Sequence, residues 1–288
     1  MNGYLRIDTA LANAVRALED VSDSPRLDAE LLLARALDVA RSYLFAHPDD
    51  EMDPAASERF REALLQRIEG KPMAYITGSR EFWSMELVVS PHTLIPRPET
   101  ETLIEQALMR IPRRTVLEVL DLGTGTGAIA LAIARERPAC HLVAVDLSAD
   151  AVAVARENAR QLLVPNIEFA VGNWTEPVAG RRFDLIVSNP PYIASNDPHL
   201  DALKFEPRSA LEAGADGLDA IREIAATTMS VLKPGGALLF EHGSDQAEGV
   251  AAILREYGWS DIRVANDLAG RPRVSIALAG VRGVPLPE

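Results

Sequence analysis

From Val116 to Ala279 the chain alternates short apolar runs with helical stretches, and this alternation restricts the fold more than any other feature. Candidate strands are Val116–Leu122, His141–Leu147, Ile167–Gly172, Phe183–Ser188, Ala237–His242, Asp261–Asn266 and Val274–Ala279. Helical spacing intervenes at Ala128–Glu136, Asp150–Leu162, Leu218–Leu232 and Gln246–Tyr257. Strands separated by helices pair in parallel through right-handed crossovers, so an open α/β sheet with helices on its faces is expected. Only Asp267–Arg273 separates the last two runs, too little for a helix, so those strands should pair antiparallel at an edge. Ligands of such sheets bind outside the carboxyl ends of the strands, and the candidate chemistry is sought there.

One strand end is distinctive. Asn189-Pro190-Pro191-Tyr192 directly follows the apolar run Phe183–Ser188. Two prolines fix φ and supply no backbone N–H, so the turn presents carbonyl oxygens without competing donors. Asn189 adds a side-chain carbonyl and Tyr192 an aromatic face. Neutral acceptors beside a ring suit a planar NH2 group, whether an amide or an exocyclic base amine. An Asn-Pro pair also starts ordinary turns.

A second strand end carries Leu120-Asp121-Leu122-Gly123-Thr124-Gly125-Thr126-Gly127-Ala128. Glycines here let the backbone turn tightly and approach a ligand, with helix N–H groups facing it. Gly123, Gly125 and Ala128 also satisfy the relaxed dinucleotide spacing, so NAD and S-adenosylmethionine (SAM) both remain open. Asp146 closes the next strand, where an acid takes a ribose diol in either cofactor, or else caps the helix near Ser148. Asp121 can hold a ligand ammonium such as the methionine end of SAM. Asn173-Trp174, after the third strand, offers an amide and a face for adenine, or simply a core tryptophan.

The segments upstream differ. Residues 1–72 read as a small helical bundle, with apolar stripes through Ile7, Leu11, Val15 and Leu18, through Leu27, Leu31, Leu32 and Leu37, and through Phe60, Leu64, Leu65 and Ile68. Gly70-Lys71-Pro72 stops that pattern. Residues 73–98 form a linker with a plausible β-hairpin around Glu81–Val89, and the prolines at 96 and 98 delay the next helix until Thr100. Residues 99–288 make the α/β domain. The stretch from Ile193 to about Gly217 shows no clear element; such long connections are usually functional or disordered, and this one is expected to shape substrate entry, with His199 facing solvent.

Composition narrows the partner. A net charge of -13 over 288 residues disfavours a polyanion and favours a protein or small-molecule substrate. The single cysteine, Cys140, excludes an internal disulfide and reads as a small residue opening a strand. The five histidines show no ligand spacing, so no metal is expected. Met1–Asp8 lacks the basic flank and apolar core of a signal peptide, and no apolar run is long enough to span a bilayer, which makes a cytoplasmic location the default.

Taken together, Gly123-Thr124-Gly125-Thr126-Gly127, Asp146, Asn173-Trp174 and Asn189-Pro190-Pro191-Tyr192 resemble the series found in class I SAM-dependent methyltransferases acting on NH2 groups. Ile95-Pro96-Arg97-Pro98-Glu99-Thr100-Glu101, Glu206-Pro207-Arg208-Ser209-Ala210-Leu211 and the small helical N-terminal module narrow the resemblance to the HemK/PrmC family. The resemblance implies a Rossmann-like, seven-stranded, mostly parallel sheet behind an N-terminal bundle that docks substrate. It implies methyl transfer from SAM to the side-chain amide nitrogen of the glutamine in the Gly-Gly-Gln motif of peptide chain release factors, with no direct nucleic-acid binding. SAM would lie on Asp121, the run Gly123–Gly127, Asp146, Asn173, Trp174 and Asn189. Asn189 and the Pro190 carbonyl would accept the two amide N–H bonds, Pro191 would contact substrate, and Tyr192 would pack against it or meet the sulfonium by a cation–π contact of about 0.5–2 kcal/mol. Glu99 and Glu101 would either cover the methionine end or begin a helix with favourable charge. The alternatives are a nucleic-acid adenine or guanine amino-methyltransferase using the same tetrapeptide, an NAD-dependent oxidoreductase, and a non-catalytic SAM-binding adaptor.

Overall fold

The computed structural model describes residues 5–279, so the Met1–Tyr4 part of the N-terminal stretch considered above lies outside the described residues. The chain divides into two units after Ser79, inside the 73–98 segment.

The first unit is helical: α1 (Ile7–Leu18), α2 (Pro25–Leu37), α3 (Arg41–Ala46), α4 (Pro54–Ile68) and α5 (Met73–Thr77). Proline opens α2 and α4, where a missing N–H costs nothing, and Asp53 caps α4 by accepting the Ala56 N–H at 2.9 Å. The expected stripe on α1 is inside, with Ile7, Leu11 and Leu18 buried and Val15 packed against them. The stripe expected on α2 is used only in part: Leu32 is buried and Leu37 packs against the core. Leu27 and Leu31 are exposed, and the buried face runs through Ala29, Leu32, Leu33 and Ala36. That set has i, i+3, i+4, i+7 spacing, and its alanines let α1 and α4 approach closely; the leucine run from 31 to 33 left several stripes equally apolar. On α4, Leu65 and Ile68 are likewise exposed while Phe60 is buried. Buried acids lock the bundle: Asp28 takes the Arg67 Nε at 2.8 Å, and Glu30 pairs with Arg26 and Arg41.

The corrected stripe makes a stability prediction. Leu33→Ala should cost about 2–5 kcal/mol in urea unfolding, and Leu31→Ala no more than about 0.5 kcal/mol. Equal losses would mean that Leu31 is part of the core.

A hairpin of β1 (Ser79–Phe82) and β2 (Met85–Val88) begins at the last residue of the first unit and otherwise belongs to the second. Trp83 and Ser84 both have positive φ, 52° and 54°, as a two-residue hairpin turn of matching twist requires. Phe82, Met85 and Leu87 enter the core of the α/β unit. A 3₁₀ turn at Pro98–Thr100 leads into α6 (Glu101–Arg110). There follow β3 (Glu118–Leu122), α7 (Ala128–Glu136), β4 (His141–Asp146), α8 (Ala149–Gln161), β5 (Ile167–Val171) and β6 (Phe183–Ser188). After a short helix α9 (His199–Ala202) come α10 (Asp219–Thr227), β7 (Leu232–Glu241), α11 (Ala247–Glu256), β8 (Ser260–Asn266) and β9 (Pro272–Leu278).

The strands form a seven-stranded sheet in the order β5-β4-β3-β6-β7-β9-β8. The pairings β4–β5, β3–β4, β3–β6 and β6–β7 are parallel, and β9 runs antiparallel to both β7 and β8. The last two strands therefore pair antiparallel as expected, with β9 inserted inside the edge. Alternation along the strands sends Leu142 and Ala144 to a core with α6 and α7, and Val143 and Val145 to a core with α10 and α11. Most boundaries fall within two residues of expectation, but β7 begins at Leu232, inside the stretch expected to be helical. The helix ends in a 3₁₀ turn at Thr228–Val231, and Leu232 pairs with Phe183 across an irregularity between Phe183 and Leu185. The bulge lets Pro234-Gly235-Gly236 sit within the strand, although those residues normally mark its limit. Among the described residues no helix is long and apolar enough to cross a membrane.

This topology fixes the place of the site. The chain leaves β3 toward β4 on one side and returns to β6 on the other, so a crevice opens between the carboxyl ends of β3 and β6.

Candidate active site

The β3 and β6 ends carry the glycine run and the proline tetrapeptide, and Leu122 pairs with Ser188 in register. Ser188, fully buried, donates its hydroxyl to the Leu122 carbonyl at 2.7 Å, tying the two turns at their base. A Cβ placed on Gly123 would lie 3.6 Å from the Trp174 ring and 4.0 Å from the Asn189 carbonyl oxygen. The rim and the glycine-lined cleft are therefore one site.

A cavity of about 240 Å³ occupies it. Gly123, Thr124, Gly125, Thr126, Asp146, Asn173, Trp174, Asn189 and Pro191 all line this cavity. Gly125 has φ +54° and open space where a Cβ would stand, a cradle that suits a ligand pressed to the backbone. Gly127 has a different task. It sits at φ +82° at the start of α7, and a Cβ there would meet Leu131 at 3.1 Å and Ala155 at 3.2 Å, so it serves close helix packing and is absent from the wall. Asn158, fully buried on α8, steadies this region: its amide exchanges two bonds with the Val88 backbone and donates to the Thr126 carbonyl at 2.9 Å.

Asp146 at the end of β4 accepts the N–H of Gly125 at 2.8 Å and of Ser148 at 2.9 Å. The cap of α8 is Ser148 itself, which accepts from Ala151, so Asp146 braces the glycine turn and lines the cavity with acceptor capacity to spare. Burial pushes its carboxyl up, and the bonds from Ser148 and Gly125 pull it back. Asp121 lies beneath the loop, fully buried and off the wall. Thr124 donates to its Oδ2 at 2.7 Å, while its Oδ1 is buried without a partner. Burial pushes Asp121 up to about 7, with the Thr124 bond opposing and the nearby Asp146 charge adding to the rise. An orphaned buried acceptor two residues before the glycine run fits a cationic ligand group, and Asp146 and Trp174 fit a ribose and an adenine. The residues present suit SAM.

Of the tetrapeptide, Asn189 and Pro191 face the cavity and Pro190 is buried. Tyr192 is placed otherwise than the sequence suggested. Its ring is not on the wall, and its hydroxyl donates to Glu241 at 3.2 Å. Burial, with the Glu241 charge behind it, raises the phenol well above its ordinary value, so it stays protonated. Asn173 donates to Glu223 at 2.7 Å at the outer edge. Glu99 and Glu101 do not reach the cavity wall.

Sequence reasoning missed several wall residues: His92, Thr93, Leu94, Thr100, Ser209 and Ala210 among them. The 193–217 connection is also more ordered than expected. It carries α9 and a 3₁₀ turn at Arg208–Ala210, and Ile193 brackets it by accepting from Ala213 at 2.9 Å and donating to the Leu211 carbonyl at 2.8 Å. Glu206 anchors its return: this buried acid accepts the Ile95 N–H at 3.0 Å and pairs with Arg97. His199 does face solvent. The missed signal was the pairing of two motif segments, 95–101 and 206–211, through opposite charges. Among the described residues, no cluster of three or more His, Cys, Asp or Glu is arranged to hold a metal ion.

Known proteins resemble this chain in both its N-terminal and its α/β part. Residues 9–78 match the model of the PrmC N-terminal domain, and residues 115–261 match a methyltransferase domain. The release factor glutamine methyltransferase of Salmonella typhimurium is 48% identical over 267 residues, covering 92% of this chain and 96% of that protein. The protein of the same name from Coxiella burnetii is 45% identical over 276 residues, covering 96% and 100%. A methyltransferase from Pyrococcus furiosus, 18% identical, superposes with a TM-score of 0.54 over 78% of this chain and all of that one, a likeness of fold alone.

Proposed function

The chain belongs to the release factor glutamine methyltransferase family, and from that premise we propose that it methylates the side-chain amide nitrogen of the glutamine in the Gly-Gly-Gln motif of peptide chain release factors, using SAM. The NAD reading of the glycine run is set aside by the same membership. The observation that carries the proposal is the approach of the Asn189 backbone to Gly123, which sets an amide-binding rim against the cofactor cleft.

When bound, SAM supplies a methyl group on a cationic sulfur. Gly123–Thr126, Asp146 and Trp174 would hold it, with Asp121 beneath its ammonium and Asn173 at the edge. A glutamine nitrogen is a poor nucleophile because its lone pair is delocalised into the carbonyl. Asn189 Oδ1 and the Pro190 carbonyl accept its two N–H bonds and turn the lone pair toward the methyl group. Positioning of this kind is worth about 7–11 kcal/mol in favourable cases, so no strong base is needed. The surplus proton sits on a methylated amide, which is strongly acidic, and leaves to solvent. Tyr192 acts as a prop under the rim, held through its hydroxyl by Glu241 and through its carbonyl by Gln246 at 2.9 Å. A release factor substrate supports the cytoplasmic location expected from the sequence, and we propose that the N-terminal bundle docks that substrate.

Transfer of labelled methyl from SAM to purified release factor, with DNA and rRNA as parallel substrates, tests the proposal. Label on the protein alone is expected; label on nucleic acid would favour the amino-methyltransferase alternative. The 193–217 connection adds a narrower prediction. Replacing its exposed tip, 197–203, by a short glycine linker should raise the KM for release factor at least about tenfold, roughly 1.4 kcal/mol, with SAM affinity unchanged. Equal loss of both would make the tip part of the cofactor site.

A further inference from the structure

Behind the rim lies a chain of hydrogen bonds whose polarity can be read from the chemistry of its members. Asn189 Nδ2 donates to Thr100 Oγ1 at 3.1 Å, and Thr100 donates its hydroxyl to Glu241 Oε2 at 2.7 Å. Tyr192 donates to Glu241 Oε1 at 3.2 Å. Glu241 is buried at the carboxyl end of β7, and Thr100 is buried at the start of α6.

We propose that Thr100 and Glu241 are positioning residues that fix which way the Asn189 carboxamide faces, and thereby make the rim selective for a substrate amide. The inference rests on the proposed glutamine methylation. A hydroxyl carries one proton, and an ionised carboxylate can only accept. With the Thr100 proton committed to Glu241, Thr100 Oγ1 can only accept from its other neighbour. That neighbour must then offer the NH2 end of Asn189, which leaves Oδ1 for the cavity. The opposite rotamer would place two acceptors against each other at Thr100 and aim a donor at the substrate NH2 group. An amide held in the right sense accepts a glutamine N–H; held in the wrong sense it would welcome a carboxylate.

Both oxygens of Glu241 receive a hydroxyl, which is the pattern of an acceptor in the ionised state. Burial is the largest influence and holds its carboxyl above the ordinary value, with the Glu99 charge adding to the rise and the Thr100 bond, the Arg273 charge and the Tyr192 bond opposing it; the ionised state is read from the two hydroxyl donors. The same carboxylate thus sets both ends of the tetrapeptide, Asn189 through Thr100 and Tyr192 directly.

The test compares Thr100→Val, which keeps shape and loses the hydroxyl, with Thr100→Ser, which keeps the hydroxyl. Thr100→Ala serves as a second variant without the hydroxyl, should valine disturb folding. Wild type must first methylate the release factor glutamine; failure there would sink the function and not this device. With that established, Val and Ala variants should lose kcat by about a hundredfold while the KM for release factor and the SAM Kd move less than about threefold. Serine should restore kcat to within a few-fold of wild type. The second readout is calorimetric binding, with S-adenosylhomocysteine present, of release factor peptides carrying Gln or Glu at the methylated position. The preference of wild type for Gln should shrink or invert in the Val and Ala variants and return with Ser. Unchanged preference in those variants, or equal damage by Val, Ala and Ser, would overturn the proposal.

Discussion

Asn189→Ala should abolish methyl transfer and leave SAM affinity within roughly tenfold of wild type, about 1.4 kcal/mol. The asymmetry follows from where the side chain points its groups. Its nitrogen is committed to Thr100, and among the described residues no hydrogen bond reaches its Oδ1, so on the proposed function that oxygen is left for the incoming amide. On the proposed function, removing it would delete one of the two acceptors that orient the nucleophile, and orientation would be most of what this site contributes. The cofactor cleft stays, because Gly123, Asp146 and Trp174 hold their places through other contacts. Single-turnover transfer and SAM titration on the same preparation check both halves. Transfer at more than a few per cent of the wild-type rate would remove Asn189 from the reaction.

The second large effect belongs to the other half of the cleft. Asp146→Ala should weaken SAM at least about a hundredfold, roughly 2.8 kcal/mol, while the melting temperature without cofactor falls only slightly. Two losses add here. The ribose diol loses its carboxylate partner, and the Gly125 N–H, which Asp146 accepts at 2.8 Å, loses the brace that shapes the glycine turn. Helix α8 keeps its own cap at Ser148, so the fold itself is spared. Calorimetry at saturating protein reads the change. A SAM Kd within threefold of wild type would show that the acid at this strand end caps structure and does not bind ribose.

Much of this architecture was legible in advance because strand, helix and turn chemistry agree with one another. Phe183–Ser188 and Ala128–Glu136 fall on their expected bounds, since an unbroken apolar run and an alanine-rich helix start admit one reading each. The glycine run, Asp146, Trp174 and Asn189 were findable because a parallel sheet delivers its strand ends to a common edge. What escaped depends on tertiary partners. The buried face of α2 was ambiguous within a run of leucines, and only packing by α1 and α4 chose Leu33 over Leu31. Pro234-Gly235-Gly236 reads as a break and is instead absorbed by a bulge opposite β6. Thr100 and Glu241 stand 141 positions apart and carry no local signal of contact. Glu241 did have a clue of its own: an acid ending an apolar run at a strand terminus, the same signature that singled out Asp146.

The central claim is geometric, so a crystal structure of the enzyme with S-adenosylhomocysteine and a release factor tests it most directly. The account predicts the target glutamine nitrogen about 3 Å from both Asn189 Oδ1 and the Pro190 carbonyl, facing the cofactor sulfur. A glutamine seated with its carbonyl oxygen on Asn189, or outside the crevice between β3 and β6, would contradict it.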